Sequence, residues 1–316
     1  APDGIMTILF SNTCGDHDNF NLTLDDEAAS ATFPCPATDG MNYQPHGTLA
    51  AFNGRNSQGI WKLHVVDYYA QDGGTLNAWS LEICTEAQEV NHTKAHIKTF
   101  LEAAYQPTTN LMRTDLLNEN LIPLTQPYNI EPWYYAGDES VSSYVDFPEN
   151  VVDWVLVEAR SATNNDQVID RKAAFLRNDG KLIDADGTEG VGFRNLSEGE
   201  DYFLVIRHRN HLAIMSEEPI NLPNTTVYDF TQPSNVKDGF TQLADLNDNA
   251  SFAMPAGDFD GNGVVIVIDY NIFRTYLSLI SVYTIGDVNM DGNVTVTDFN
   301  YYRPNISRIG LSEIRY

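Results

Sequence analysis

Short apolar runs separated by turn clusters dominate the first 85 residues. Met6-Thr-Ile-Leu-Phe10 and Trp61-Lys-Leu-His-Val-Val66 alternate or run apolar, and Trp79-Ser-Leu-Glu-Ile83 alternates; Asp39-Gly, Asn53-Gly and Asp72-Gly-Gly mark turns. Period-two patterning between such turns predicts the strands of a β-sandwich. Residues 86–96, which begin Glu86-Ala-Gln-Glu, are polar and read as a linker. Beyond them, Val151-Val-Asp-Trp-Val-Leu-Val-Glu158, Lys172-Ala-Ala-Phe-Leu176, Lys181-Leu-Ile-Asp184 and Tyr202-Phe-Leu-Val-Ile-Arg-His208 predict further strands, with Asn178-Asp-Gly180 a hairpin signal between the second and third. Residues 111–118 are expected to form a short helix. The expected fold class is mainly β, with sandwich modules over 1–85 and 97–244. Over 245–316 the pattern changes to a small calcium-loop module of the EF-hand kind.

Composition sharpens this picture in two ways. Hydrophobic residues are 42% of the chain, enough to fold most of it, while 18 basic against 44 acidic residues leave a net charge of −26. That charge repels nucleic acid and anionic membranes and favours divalent cations. No apolar run approaches the roughly 18 residues that span a bilayer, so membrane insertion is not expected.

The three cysteines are an odd number; Cys14 and Cys35 flank a polar segment and are the pair expected to close a loop, which leaves Cys84 without a mate in the chain. A disulfide points to a secreted, extracellular or cell-surface protein. So do seven Asn-x-Ser/Thr sequons, at Asn21, Asn91, Asn195, Asn224, Asn249, Asn293 and Asn305, which are the candidate glycosylation sites.

The firmest chemistry lies near the C-terminal end. A calcium loop of twelve residues offers side-chain oxygens from positions 1, 3 and 5, a backbone carbonyl from position 7 and an acid from position 12, with glycine at position 6 for the sharp turn. Asp258, Asp260, Asn262, Val264 and Asp269 fill positions 1, 3, 5, 7 and 12 of one such loop, and Asp287, Asn289, Asp291, Asn293 and Asp298 fill those of another; Gly263 and Gly292 stand at position 6. Clustering so many acids costs repulsion unless a cation offsets it. Two bound Ca²⁺ ions are therefore expected.

Three resemblances place these motifs. Phe52-Asn-Gly-Arg-Asn-Ser-Gln-Gly-Ile-Trp-Lys-Leu-His-Val-Val-Asp67 and Asp72-Gly-Gly-Thr-Leu-Asn-Ala-Trp-Ser-Leu81 resemble the closing half of the P domain, the β-sandwich that follows the catalytic domain of proprotein convertases and occurs in many secreted bacterial proteins. Ala1-Pro-Asp-Gly is similar to a turn inside that domain, which implies that the opening strands are missing and the sandwich has an open edge. Val152-Asp-Trp-Val-Leu-Val-Glu, Arg171-Lys-Ala-Ala-Phe-Leu and Arg207-His-Arg-Asn-His-Leu212 are similar to a β-sandwich module of Bacteroidetes surface proteins. Aspartate at position 12 and the short apolar segment after each loop resemble dockerin repeats, although Arg303-Pro304 is expected to interrupt the second helix early and to disfavour cohesin binding.

No Gly-x-Ser-x-Gly, His-Glu-x-x-His or glycine-rich phosphate loop is present. His208 and His211 are expected as exposed turn residues, and Asp25-Asp26-Glu27 as a surface loop with a structural or calcium role rather than a catalytic one. The expected function is that of a non-enzymatic, calcium-stabilised structural protein whose open edge is completed by a neighbouring subunit, giving a homo-oligomer or filament. The termini, including 311–316, are the segments expected to exchange. A carbohydrate-binding appendage or adhesin, with glycans stacking on Trp133-Tyr134-Tyr135 or Tyr301-Tyr302, and an accessory region of a subtilisin-like protease are the alternatives.

Overall fold

The computed structural model describes residues 1–15, 17, 19–55, 57–66, 68, 74–83, 92–247 and 251–316, and the chain divides into two units, Ala1–Glu89 and Val90–Tyr316. The protein is mainly β. Cys84, Asn91, Asn249 and most of the polar 86–96 segment lie outside the described residues. The end of that segment differs from its reading as linker: Thr93–Ala95 is a strand, because Thr93 and Ala95 both turn inward against Val191–Phe193.

The sheet of the second unit explains why its strands were legible. Its order is His211–Met215, Asp201–His208, Val151–Ser161, Asn164–Arg177 and Leu182–Ile183, with Ile220–Asn221 pairing the start of Asp201–His208; every pairing is antiparallel. Val151–Arg160 is buried on both faces, so it reads as a nearly unbroken apolar run instead of an alternation. On one face, Phe203, Val205 and Arg207 lie opposite Arg160, Glu158 and Leu156, and Leu311 and Ile314 of the C-terminal segment pack over Val205 and Met215. Leu204 and Ile206 face the other way, into the main core with Leu101, Tyr105, Leu116 and Ile122. Gly180 closes the Asn178-Asp-Gly180 turn at φ +88°, where a side chain would be strained, and donates to the Arg177 carbonyl at 2.9 Å.

Local readings fared differently where tertiary contacts intervene. Residues 111–118 split into the strand Leu111–Met112, paired with Tyr105–Gln106, and a helix only over Asp115–Asn118. The helix after the second acidic loop is not interrupted early: it runs over Val296–Asn305, the same length as Val267–Tyr276 after the first loop. Pro304 falls in its last turn, so the break it imposes coincides with the end that Ile306 forms anyway.

The Ala1–Glu89 unit has a small core of Phe33, Ala37 and Tyr43 flanked by Leu22 and Leu24, and one parallel pair, Thr23–Leu24 with Asn42–Tyr43. Cys14 and Cys35 are disulfide-bonded with Cα atoms 5.1 Å apart. Asp26 is committed to structure: its carboxylate accepts from the Leu49 and Ala50 amides at 2.8 and 2.7 Å and from Thr48 Oγ1, holding a single 3₁₀ turn over Leu49–Phe52. Those hydrogen bonds hold its pKa low. The three segments read as strands at 6–10, 61–66 and 79–83 belong to no sheet among the described residues, although the Ile8 and Leu9 carbonyls accept from Gly47 and His46 at 2.7 and 2.8 Å. Many of their apolar positions stay in water, Met6 77% and Ile8 61% exposed, whereas Leu9, Trp61 and Leu63 are part-buried. Because the core of this unit is small, opening Cys14–Cys35 by double replacement with serine should destabilise it by about 3 kcal/mol. Denaturation followed by Trp61 and Trp79 fluorescence measures that, and an unchanged midpoint would count against it.

Candidate metal centre

Each acidic loop wraps its own backbone amides around its carboxylates. In the first loop, Asp258 Oδ2 accepts from Gly263 N at 3.0 Å, while Asp269 takes Phe259 N on Oδ1 and Ile266 N on Oδ2, both at 2.8 Å. The second loop repeats this bond for bond: Asp287 Oδ2 accepts from Gly292 N at 2.9 Å, and Asp298 takes Val288 N at 3.0 Å and Thr295 N at 2.8 Å. The position-12 acids sit one turn into the following helices, where carboxylates also favour the exposed amides of the helix start.

The position-7 residues are oriented by their neighbours. Gly263 O and Val265 N are taken by Gly310 N and Arg308 O, so Val264 between them turns the other way, its N–H to Asn262 Oδ1 at 2.8 Å. Antiparallel alternation then points the Val264 carbonyl into the loop as well. Asn293 repeats this: Gly292 O and Val294 N go outward to Val282 and Leu279, and the Asn293 N–H turns to Asp291 Oδ1 at 2.9 Å. Val265, Val288, Val294, Phe259, Phe273 and Tyr302 form one apolar cluster beneath both loops.

The two loops differ in how far their acids converge. Carboxylate oxygens of Asp258, Asp260 and Asp269 lie within 4.8 Å of one another, and Asp258 Oδ1 is buried without a partner. A buried acceptor left unpaired costs about 1–3 kcal/mol, a cost that a cation held by these three acids would offset. Each loop has one acid that takes a neighbouring side-chain amide, Asp260 Oδ2 from Asn262 Nδ2 at 2.8 Å and Asp291 Oδ2 from Asn289 Nδ2 at 2.9 Å, but in the second loop Asp291 also lies 3.5 Å from Arg113 Nη1. Burial, reinforced by the neighbouring acids, pushes the Asp258 carboxyl well up. It also pushes Asp269 up to about 6 and Asp287 up to about 7, and raises Asp298. In the first loop such carboxylates suit an added positive charge, whereas in the second Arg209 and Arg113 already supply part of it. The donor set of carboxylates, amide oxygens and carbonyls suits a hard oxygen-seeking ion.

Buried polar chains tie this region to the sheet. Asp153 is fully buried, accepts from Arg209 Nε at 2.8 Å and Tyr283 Oη at 2.7 Å, and lies 3.2 Å from His208 Nε2. Burial pushes Asp153 up, but the charge of Arg209 and the His208 contact outweigh it and hold the carboxyl at about 2. His208 and His211 are not exposed turn residues: both are buried, with their Nδ1 atoms 3.1 Å apart, because the hairpin that carries them packs against the second loop. Burial lowers both pKa values, His211 further because His208 and Arg209 lie beside it. These residues give no motif in sequence. The available signals were two acids, Asp153 and Glu158, inside an apolar strand, and the dense Arg207-His-Arg-Asn-His211 run.

The sequons divide by structure. Asn21 and Asn195 are exposed. Asn305 is corrected as a glycosylation candidate because it is buried, whereas Asn224 is part-buried. Asn305 is 1% exposed and its Nδ2 donates to Glu102, the Ala256 carbonyl and the Tyr301 carbonyl, while Asn224 Nδ2 donates to the His96 and Thr226 carbonyls. Asn293 Nδ2 donates within its loop to the Asp291 carbonyl at 2.9 Å. Of the aromatic candidates, Trp133 and Tyr302 are buried, whereas Tyr134 is 69% exposed at φ +44° beside a depression lined by Pro132, Asp260 and Asn262.

A family profile described as Proprotein convertase P-domain matches residues 1–83. No curated protein matches the chain. The solved structures that overlap it include an N-terminal and a C-terminal interface mutant of a type II cohesin–X-dockerin complex from Acetivibrio cellulolyticus. Each is 15% identical, with a TM-score of 0.31, covering 49% of this chain and 82% of the other. That overlap is too loose to carry a fold or a function. The P-domain match and the Cys14–Cys35 disulfide are consistent with an extracellular structural or accessory role, and among the described residues no helix is long and apolar enough to cross a membrane.

Proposed function

We propose that this chain is a non-enzymatic extracellular structural protein, stabilised by two calcium ions and assembled into a surface fibre or filament by strand complementation between subunits. The observation that carries the reading is the run of exposed apolar side chains on the Ala1–Glu89 unit: Met6, Ile8, Val65, Leu76, Leu81 and Ile83. Alternating apolar positions left in water, on segments without a sheet, are what an incoming strand covers. A head-to-tail contact of that kind does not close and so propagates. The C-terminal segment is not the donor, since Leu311 and Ile314 are already packed on their own sheet. Calcium supplies charge neutralisation and a fixed geometry to Asp258, Asp260, Asn262, Val264 and Asp269, and to the matching Asp287, Asn289, Asp291, Asn293 and Asp298.

Electron microscopy and light scattering of the full chain test the assembly. Concentration-dependent oligomers or fibres are expected, abolished by Ile8→Lys and unaffected by an exposed charge change such as Glu198→Lys. Compact monomers at all concentrations overturn it and leave the covering strand to be supplied by the same polypeptide. A second reading, a carbohydrate-binding appendage, is favoured by Tyr134 alone; glycan binding that Tyr134→Ala abolishes would establish it.

A further inference from the structure

Between the strands Asp201–His208 and His211–Met215, the two-residue turn Arg209-Asn210 reaches both acidic loops. The Asn210 carbonyl accepts from Gly257 N at 2.9 Å, immediately before the first loop. Its side chain goes to the second: Nδ2 donates to the Ile285 carbonyl at 2.9 Å and to the Asp287 carbonyl at 2.8 Å, and Oδ1 lies 2.8 Å from His211 Nδ1. Asn210 is fully buried, so these bonds have no competition from water. Arg209 lies alongside, stacked 4.2 Å from the Tyr283 ring centre and bonded to the Thr284 carbonyl, with its charge matched by Asp153.

The Asp287–Val288 peptide is the point of leverage. Its oxygen is held by Asn210 Nδ2, and its N–H donates to Asp298 Oδ1 at 3.0 Å. One peptide plane therefore fixes positions 1 and 12 of the second loop relative to each other, and the Asn210 amide fixes that plane to the sheet. The corresponding Phe259 N–H of the first loop donates to Asp269 in the same way, but the Asn210 contact there is through backbone alone and survives any side-chain change.

We infer that Asn210 is a positioning residue for the second metal site, one whose side chain sets the affinity of that site and not of the first. The inference rests on the calcium reading above. Residues that hold a ligand's own partners in place commonly contribute 10–100-fold to metal affinity, so loss of the Asn210 amide is expected to weaken the second site about tenfold.

Calorimetric titration of the full chain with calcium separates the sites. In an Asp269→Asn background, which leaves the second loop, Asn210→Leu and the smaller Asn210→Ala should each weaken binding about tenfold. In an Asp298→Asn background, which leaves the first loop, neither should change it. Thermal melts without calcium establish that each variant folds, and a purely structural role would weaken both sites together or neither. Equal affinities in the Asp269→Asn background with and without the Asn210 change overturn the inference while leaving the calcium reading intact. Absence of any saturable binding in the parent chain overturns both.

Discussion

Stripping calcium from the protein is expected to lower the melting temperature of the Val90–Tyr316 unit by about 10–20 °C. At a free concentration 100 times Kd, one bound ion contributes about 2.7 kcal/mol, so two contribute about 5 kcal/mol. A unit of this length shifts by about 2–4 °C per kcal/mol. The pH dependence gives the result a sign that a non-specific salt effect lacks. Asp258, Asp269, Asp287 and Asp298 have raised pKa values, so without metal the folded state holds more protons than the unfolded one. That contribution to stability is present below about pH 4 and is lost as pH rises through about 6 for Asp269 and about 7 for Asp287. The lowered pKa values of His208 and His211 act oppositely, removing stability as pH falls below about 6.5. Because the histidines titrate with or without the ion, the difference between calcium-loaded and stripped melting curves isolates the carboxylates. That difference should widen from pH 4 to 7. Calorimetry showing coincident curves, or a gap that narrows with pH, would sink the prediction.

The acidic loops were legible because their oxygen-bearing residues recur at fixed spacing, and because each candidate ligand lies within twelve residues of the others. What anchors them was not legible. Asp153 pairs with Arg209 across 56 residues and Asn210 with Asp287 across 77, and no local pattern encodes such distances. Burial on both faces of Val151–Arg160 removed the alternation that would have assigned sides, yet the same burial made Asp153 and Glu158 conspicuous, since an unpaired carboxylate could not remain there. Pro304 misled for the opposite reason. Its effect is purely local, but its position relative to the helix end depends on where Asp298 starts the helix.

The same logic makes Glu158 the most consequential single side chain outside the loops. It is fully buried and meets three guanidinium groups: Arg160 at 2.7 Å, Arg207 at 2.9 Å and Arg171 at 3.1 Å. Burial pushes its pKa up, but Arg207 and Arg160 outweigh that and hold it at about 2. Two of these arginines also grip the C-terminal segment. Arg160 Nη1 donates to the Glu313 carbonyl and Arg207 Nη2 to the Ile314 carbonyl, both at 2.8 Å, and Arg207 stacks 4.3 Å from the Tyr316 ring centre. Glu158→Gln leaves cations buried without a counter-charge, which costs about 3–5 kcal/mol. The triple change Glu158→Leu, Arg160→Met and Arg207→Met removes the three buried charges, leaving only the part-exposed Arg171 to turn to water, and is expected to cost far less, because each buried ion's desolvation is removed along with its attraction. The C-terminal segment should separate the two cases further. In Glu158→Gln the arginines are free to turn toward solvent and carry Glu313 and Ile314 with them, so amide exchange over 311–316 should quicken ahead of global unfolding. The stabilisation from Glu158 is present above the unfolded pKa near 4.5 and is lost as pH falls through about 2, so the Gln variant and the parent should converge in strong acid. Urea denaturation at neutral pH that places Glu158→Gln within about 1 kcal/mol of the parent would show that the buried arginines find other partners.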